Sequence, residues 1–158
     1  MRVLRLLCPQ VHIILPKMQS LWLINSENKV LFCRKWCDSE CPSLDQLIKV
    51  LPADTSSSSH FTTIGNSALI LKRFASVLFI LLVVPSENEF KYLAFVDLFV
   101  KTLDRYFGGL TVSHLTFNFQ KVHLILDTMT LGGRPVSTHT EQVLQDVTDF
   151  ERQGTMVL

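Results

Sequence analysis

The apolar positions of this chain form short continuous runs first and follow a helical period afterwards. "SLWLIN" and "KVLFCRKW" are apolar runs on either side of the polar "SEN", which predicts a β-hairpin. Leu44, Leu47, Ile48 and Leu51 then recur at helical spacing behind Pro42. Ser43 is placed to cap this short helix. "PADTSSSSH" interrupts the pattern with proline, aspartate and a serine run, residues that predict an exposed loop. "FTTIGNSALILKRFAS" predicts strand on both sides of a turn at Gly65-Asn66. "VLFILLVV", Val77 to Val84, is apolar at every position, the mark of a strand covered on both faces.

From Pro85 the period lengthens. Leu93, Val96, Val100, Leu103 and Phe107 recur at three and four, and Phe90, Ala94, Phe95 and Phe99 widen the stripe. Asp97, Lys101, Asp104 and Arg105 occupy the polar face. Ser86 and Glu89 have capping-box spacing. Glu87–Lys91 and Asp97–Lys101 have the spacing of helical ion pairs, which contribute a few tenths of a kcal/mol each. Gly108-Gly109 is expected to end the helix by allowing a left-handed backbone. A short segment around "TVSHLTF" follows. "FNFQKVHLILDTMTLGG" places Val122, Ile125, Leu126 and Met129 on one helical face, with Gly132-Gly133 as the expected stop. "STHTEQVLQDVTDFERQ" predicts a last helix from near Ser137 or Thr138. Strands bunched first and helices last argue for an α+β fold on a mostly antiparallel sheet. The expected organisation is an N-terminal extension over 1–17, one domain over 18–150 and a tail over 151–158.

Composition narrows the function classes. Apolar residues make up 47% of the 158 and charged residues 18%, which is rich for a small monomer. Either the core is thick or a partner covers part of the surface. The net charge of +1 makes no electrostatic case for nucleic acid or an anionic membrane. No apolar run approaches the roughly 18 residues of a membrane span. Arg2 and Arg5 with their leucines have a signal-like start, but Pro9, His12 and Pro16 break the run and no small-residue cleavage site follows. The segment is therefore expected to be an extension.

Candidate chemistry is thin. Cys33, Cys37 and Cys41 lie four apart, with Cys8 far ahead. That spacing matches neither a paired zinc framework nor a disulfide scaffold, even with His60 as a fourth ligand, so reduced thiols are expected, with no metal and no cofactor. His123 and Asp127 share a helix face and could serve as metal ligands or as a base with its orienting carboxylate. No third group or nucleophile converges on them, which favours a surface hydrogen bond between the two. Ser113-His114 shows no nucleophile elbow. The two Gly-Gly pairs lack the strand–loop–helix setting of a phosphate loop. No enzyme is expected.

Several segments carry a family resemblance: "LILKRFASVLF", "SENEF", "FVKTLDRYFGG", "HLTFNFQKVHLILDTMTLGG" and "THTEQVL". Together they are similar to the small (sigma) chains of the clathrin adaptor complexes. The resemblance covers Ser20 to about Val147 and is densest from Leu69 to Gly133. The coatomer zeta chain is similar in design and competes with this reading, as does a longin-domain trafficking regulator that binds a small GTPase.

The resemblance implies a longin-type fold, a five-stranded antiparallel sheet with helices on both faces, and no catalysis. It implies a subunit packed on the trunk of a large subunit, with a medium subunit, in a heterotetramer. Such a complex is cytoplasmic and sits peripherally on Golgi, endosomal or coated-vesicle membranes. It also implies an apolar pocket for acidic dileucine sorting signals. The matching positions are Ala75 and Val77 on a strand, Val100 on the long helix, and Gly109 and Leu115 beyond it. Gly109 departs from the side-chain-bearing residue expected there. Leu31 stands where the family offers a basic residue to the acidic part of the signal, with Arg34 three residues on. Thr128 follows Asp127 where a second carboxylate is common. The weak helix and serine run between Asp38 and Asn66 replace a longer helix, and the first 17 residues have no counterpart.

Overall fold

A computed structural model describes residues 18–36, 41–52, 59–85, 89–136 and 139–157, with side chains described as far as Gly154. The 1–17 extension, Cys8, Cys37, the serine run as far as Ser58, Ser86, Glu87 and the expected start of the last helix at Ser137 or Thr138 lie outside the described residues, while Ser59 and His60, expected in the loop, are already strand.

Five strands form one sheet: β1 (Met18–Ile24), β2 (Val30–Lys35), β3 (Ser59–Ile64), β4 (Ser67–Phe74) and β5 (Val77–Val83). Their spatial order is β2-β1-β5-β4-β3 and every pairing is antiparallel. The all-apolar β5 lies at the centre. Ile80 pairs with Trp22 on one side and Leu71 on the other, and all seven residues of β5 are buried. Successive side chains of a strand point to opposite faces, so β5 feeds two cores. Val77, Phe79, Leu81 and Val83 enter one, and Leu78, Ile80 and Leu82 enter the other. A strand with two apolar faces needs helices on both, and both are present.

The smaller core is closed by α1 (Leu44–Val50), whose Leu47 is fully buried. Ser43 caps this helix in a reciprocal box with Gln46, so a serine after a proline was a sound start signal. The larger core takes α2 (Phe90–Phe107), α3 (Val112–Phe117), α4 (Phe119–Met129) and α5 (Thr140–Val157). From α2 come Tyr92, Phe95, Val96, Phe99, Val100 and Leu103, from α4 Val122, Ile125, Leu126 and Met129, and from α5 Val143 and Val147. Phe79 and Phe99 meet edge to face at 6.2 Å, a favoured aromatic geometry. Among the described residues no helix is long and apolar enough to cross a membrane.

Two local expectations need correcting, while the Ser86–Glu89 box lies outside the described residues on its Ser86 side; Glu89 is the residue at the N-cap of α2, in a helical backbone conformation. Gly132-Gly133 does not stop α4. That helix ends at Met129, and Thr130 is already extended. The glycines instead turn a small hairpin, β6 (Thr130–Leu131) to β7 (Arg134–Pro135). Their φ values of +57° and +78° suit the tight turn that connects strands. Finally, α5 runs through residues assigned to the tail. Glu151 accepts hydrogen bonds from Tyr106 Oη at 2.7 Å and Lys121 Nζ at 2.6 Å, tying α5 to α2 and α4. Burial and then the bond to Glu151 push the Tyr106 hydroxyl up to about 12.

The expected end of α2 is as drawn from the sequence. Gly108 is left-handed at φ +66°, the Gly109 N–H donates to the Asp104 carbonyl at 2.9 Å, and the Asp104 carboxylate accepts from the Leu110 N–H at 2.9 Å. The "TVSHLTF" segment is a helix that the sequence left unassigned. Thr111 and His114 cap it reciprocally, with an imidazole nitrogen taking the place of the usual carboxylate or amide. His114 also stacks on Phe107 at 4.8 Å, so its role is structural.

Candidate docking site

The five pocket positions divide into two groups. Val77 opens β5, Val100 lies in α2 and Leu115 lies in α3, and all three are buried in the larger core at 3%, 4% and 0% exposure. They are brought into one apolar cluster, but in the isolated chain almost none of their surface faces solvent. Ala75 is not on a strand. It sits in the β4–β5 turn, exposed, with φ of +52°. Gly109 is also exposed, with φ of +119° and open space where a Cβ would project.

The basic position is altered as well. Leu31 on β2 is half-buried and packs on the larger core. Arg34 does not stand in for it as a free cation. Its guanidinium donates to the Asp127 carboxylate at 2.6 Å and contacts His123 Nδ1 at 3.1 Å. His123 and Asp127 do share a face of α4, but Arg34 from β2 is what joins them. A guanidinium can only donate, so Nδ1 must be the acceptor and the ring is neutral with its proton on Nε2. Burial, and then the neighbouring Arg34, hold the His123 pKa below its ordinary value, against a weaker opposing pull from Asp127. Phe32 lies against the same ring at 4.4 Å. The arrangement is a clasp between an edge strand and a helix.

Grooves open on the surface of the described residues, and two of them are well formed. One, of about 640 Å³, lies between α1 and the β3–β4 turn and includes Gln19, Lys49 and Ile64. The other, of about 430 Å³, lies between α2 and the end of the β6–β7 hairpin. Neither is lined by the five pocket positions. Among the described residues no group of three His, Cys, Asp or Glu side chains could hold a metal. Cys33 is a free thiol, and burial raises its pKa although Lys35 opposes it.

Helical and strand periods could not reveal the Arg34 clasp, because its partners lie 89 and 93 residues away in sequence. The second groove was equally hidden, since its walls come from two distant elements. Of its α2 wall, the sequence placed Asp97 and Lys101 on the wet side of an amphipathic helix and Ala94 and Phe95 in the apolar stripe.

Comparison with known proteins agrees with the resemblance. The family model described as "Clathrin adaptor complex small chain" matches residues 17–154. The AP-2 complex subunit sigma of Neurospora crassa is 36% identical over 95 residues, which is 60% of this chain and 66% of that protein. The AP-3 complex subunit sigma of Arabidopsis thaliana is 31% identical over 87 residues, 55% of this chain and 52% of that protein. The AP-4 complex subunit sigma of the same plant is 28% identical over 102 residues, 65% of this chain and 71% of that protein. The matches thus span 66% or less of the first two relatives' length. In three dimensions, a chain of a homology model of the full-length AP-3 complex in a stretched open conformation superposes with a TM-score of 0.69 at 19% identity, covering 89% of this chain and 96% of that one. The likeness is one of fold, with the five-stranded antiparallel sheet and helices on both faces.

Proposed function

This chain belongs to the clathrin adaptor complex small-chain family, and we propose that it is the small subunit of a heterotetrameric adaptor in vesicle-mediated intracellular protein transport. It packs on a large subunit, beside a medium subunit, and reaches membranes indirectly through them. The family match over 17–154 carries this reading. The relatives by sequence are sigma subunits of three adaptor complexes, which favours an adaptor over a coatomer zeta-type chain. Work by binding rather than catalysis fits the commitment of His114 to capping and of His123 to a clasp. Exposed Phe90, Phe117, Leu131 and Phe150 give it apolar surface for partners to cover. Its place is the cytoplasmic side of Golgi, endosomal or coated-vesicle membranes.

The test is recovery of partners. The tagged full chain, purified from its own cells, brings down large adaptor-type subunits, and their identity assigns the complex. A chain that recovers none overturns the proposal.

Within that complex, Val77, Val100 and Leu115 form the apolar floor and Ala75 and Gly109 the rim of a dileucine-signal pocket. Because the floor is buried in the isolated chain, the pocket opens in the assembled state. Leu31 provides no charge and Arg34 is engaged by Asp127, so recognition of the acidic part of the signal passes to the large subunit.

A further inference from the structure

The polar face of α2 is wired differently from its i,i+4 pattern. Asp97 does not pair with Lys101. Its carboxylate lies 2.9 Å from Lys72 Nζ on β4. Among the described residues neither Lys91 nor Lys101 is in an ion pair. Lys91, Ala94, Leu98 and Lys101 are separated by steps of three, four and three, so they form one stripe along the helix. The two lysines stand about 15 Å apart at a helical rise of 1.5 Å per residue.

This stripe is one wall of the groove of about 430 Å³, and Pro135 and Val136 form the facing wall. Val136 is 55% exposed. The middle of the groove is therefore apolar and its ends are cationic. Asp97 also lines it, but Lys72 answers that charge, so the groove is positive on balance. Ala94 has a small side chain, which lets a second backbone come close. A chain with net charge of only +1 is poorly suited to hold an anionic bilayer. What suits two cations three helical turns apart, around an apolar centre, is a helix with carboxylates at matching spacing and apolar residues between them.

We infer that the groove between α2 and the β6–β7 hairpin seats an acidic amphipathic helix of the large adaptor subunit. This rests on the reading of the chain as an adaptor small subunit.

The experiment uses the full chain, tagged and purified from its own cells as the assembled complex. A photo-crosslinking phenylalanine analogue replaces Val136, and a control probe replaces the exposed Ser113. The probe at 136 is expected to give an adduct that maps to a helical segment of the large subunit with carboxylates ten or eleven residues apart. The Lys91→Glu/Lys101→Glu variant is expected to recover about tenfold less large subunit, and Lys91→Arg/Lys101→Arg to recover it normally. Thermal unfolding of both variants separates lost docking from lost folding. If the wild-type chain recovers no large subunit, the functional reading fails first. If it recovers the subunit, but the probe at 136 maps to a non-acidic segment, the medium subunit, lipid, a second copy of this chain or nothing, the groove is not the seat of that helix. Undiminished recovery by the folded glutamate variant overturns it equally.

Discussion

Arg34 and Asp127 meet at 2.6 Å across 93 residues of sequence, and their contact clamps the edge strand β2 onto α4. The side chains are 31% and 52% exposed, so the pair is screened by solvent. Exposed pairs of this kind contribute about 0–1 kcal/mol. A double-mutant cycle of Arg34→Ala and Asp127→Ala, read by denaturant unfolding, is expected to give a coupling within that range. A coupling of several kcal/mol would mean that the clasp is far less solvated than its exposure indicates.

The neutral His123 gives the fold a pH dependence with a definite sign. Its folded pKa lies below the ordinary 6.5. Above that value the ring is neutral in both folded and unfolded chains and contributes no pH dependence. As pH falls through 6.5 the unfolded chain binds the proton first, so stability is lost until pH drops below the folded pKa. His123→Phe is expected to flatten this part of the stability curve. An unchanged slope between wild type and variant would show that other groups cause it.

Phe99 is fully buried between the sheet and the helices, in contact with Phe79 and stacked on Phe95. Phe99→Ala is expected to cost about 3–5 kcal/mol, much of the stability of a small domain. Phe117→Ala, at a side chain 80% exposed, is expected to change the stability of the free chain by about 0.5 kcal/mol or less. Comparing their melting temperatures checks both.

Gly132 separates a hairpin turn from a helix stop. Its φ is +57° and an added Cβ would meet nothing within 4 Å, so Gly132→Ala has only backbone strain to overcome, about 1–2 kcal/mol. Met18 donates its N–H to the Gly133 carbonyl at 2.9 Å, so the loss is expected to extend to β1. Reduced amide-exchange protection at Met18 in the variant is the readout, and full protection would disconnect the hairpin from the strand.

Val100→Asp tests the dileucine pocket in the assembled complex. Burying an unpaired carboxylate costs several kcal/mol, so the intact complex must first be verified by size-exclusion chromatography. Loss of dileucine-peptide binding by the intact complex is the expected result. Normal binding would remove Val100 from the pocket.

The sequence alone determined the secondary elements whose signals are local. The continuous apolar run of β5, the three-and-four period of α2 and the glycines after it each act through nearest neighbours. The order of these elements argued for a mostly antiparallel sheet, and the two-faced β5 required cover on both of its sides, which the family resemblance implied to be helices. Motif spacing carried the family as well, since "LDRYF" and "FNFQKVHLILDTM" are read in one dimension.

Tertiary structure decided which polar groups meet and which apolar groups are covered. Asp97 lay four residues before Lys101 and chose Lys72. His123 and Asp127 lay one turn apart and were joined by Arg34 from another element. Gly132-Gly133 followed a helix but served a hairpin, because Pro135 and Arg134 pair back onto Thr130 and Leu131. Ala75 and Val77 lie two residues apart, yet one is exposed in a turn and the other is core. The physical reason is the same in each case. A local pattern states what a residue can do, whereas burial and ion pairing depend on the strands and helices that the folded chain brings from far away.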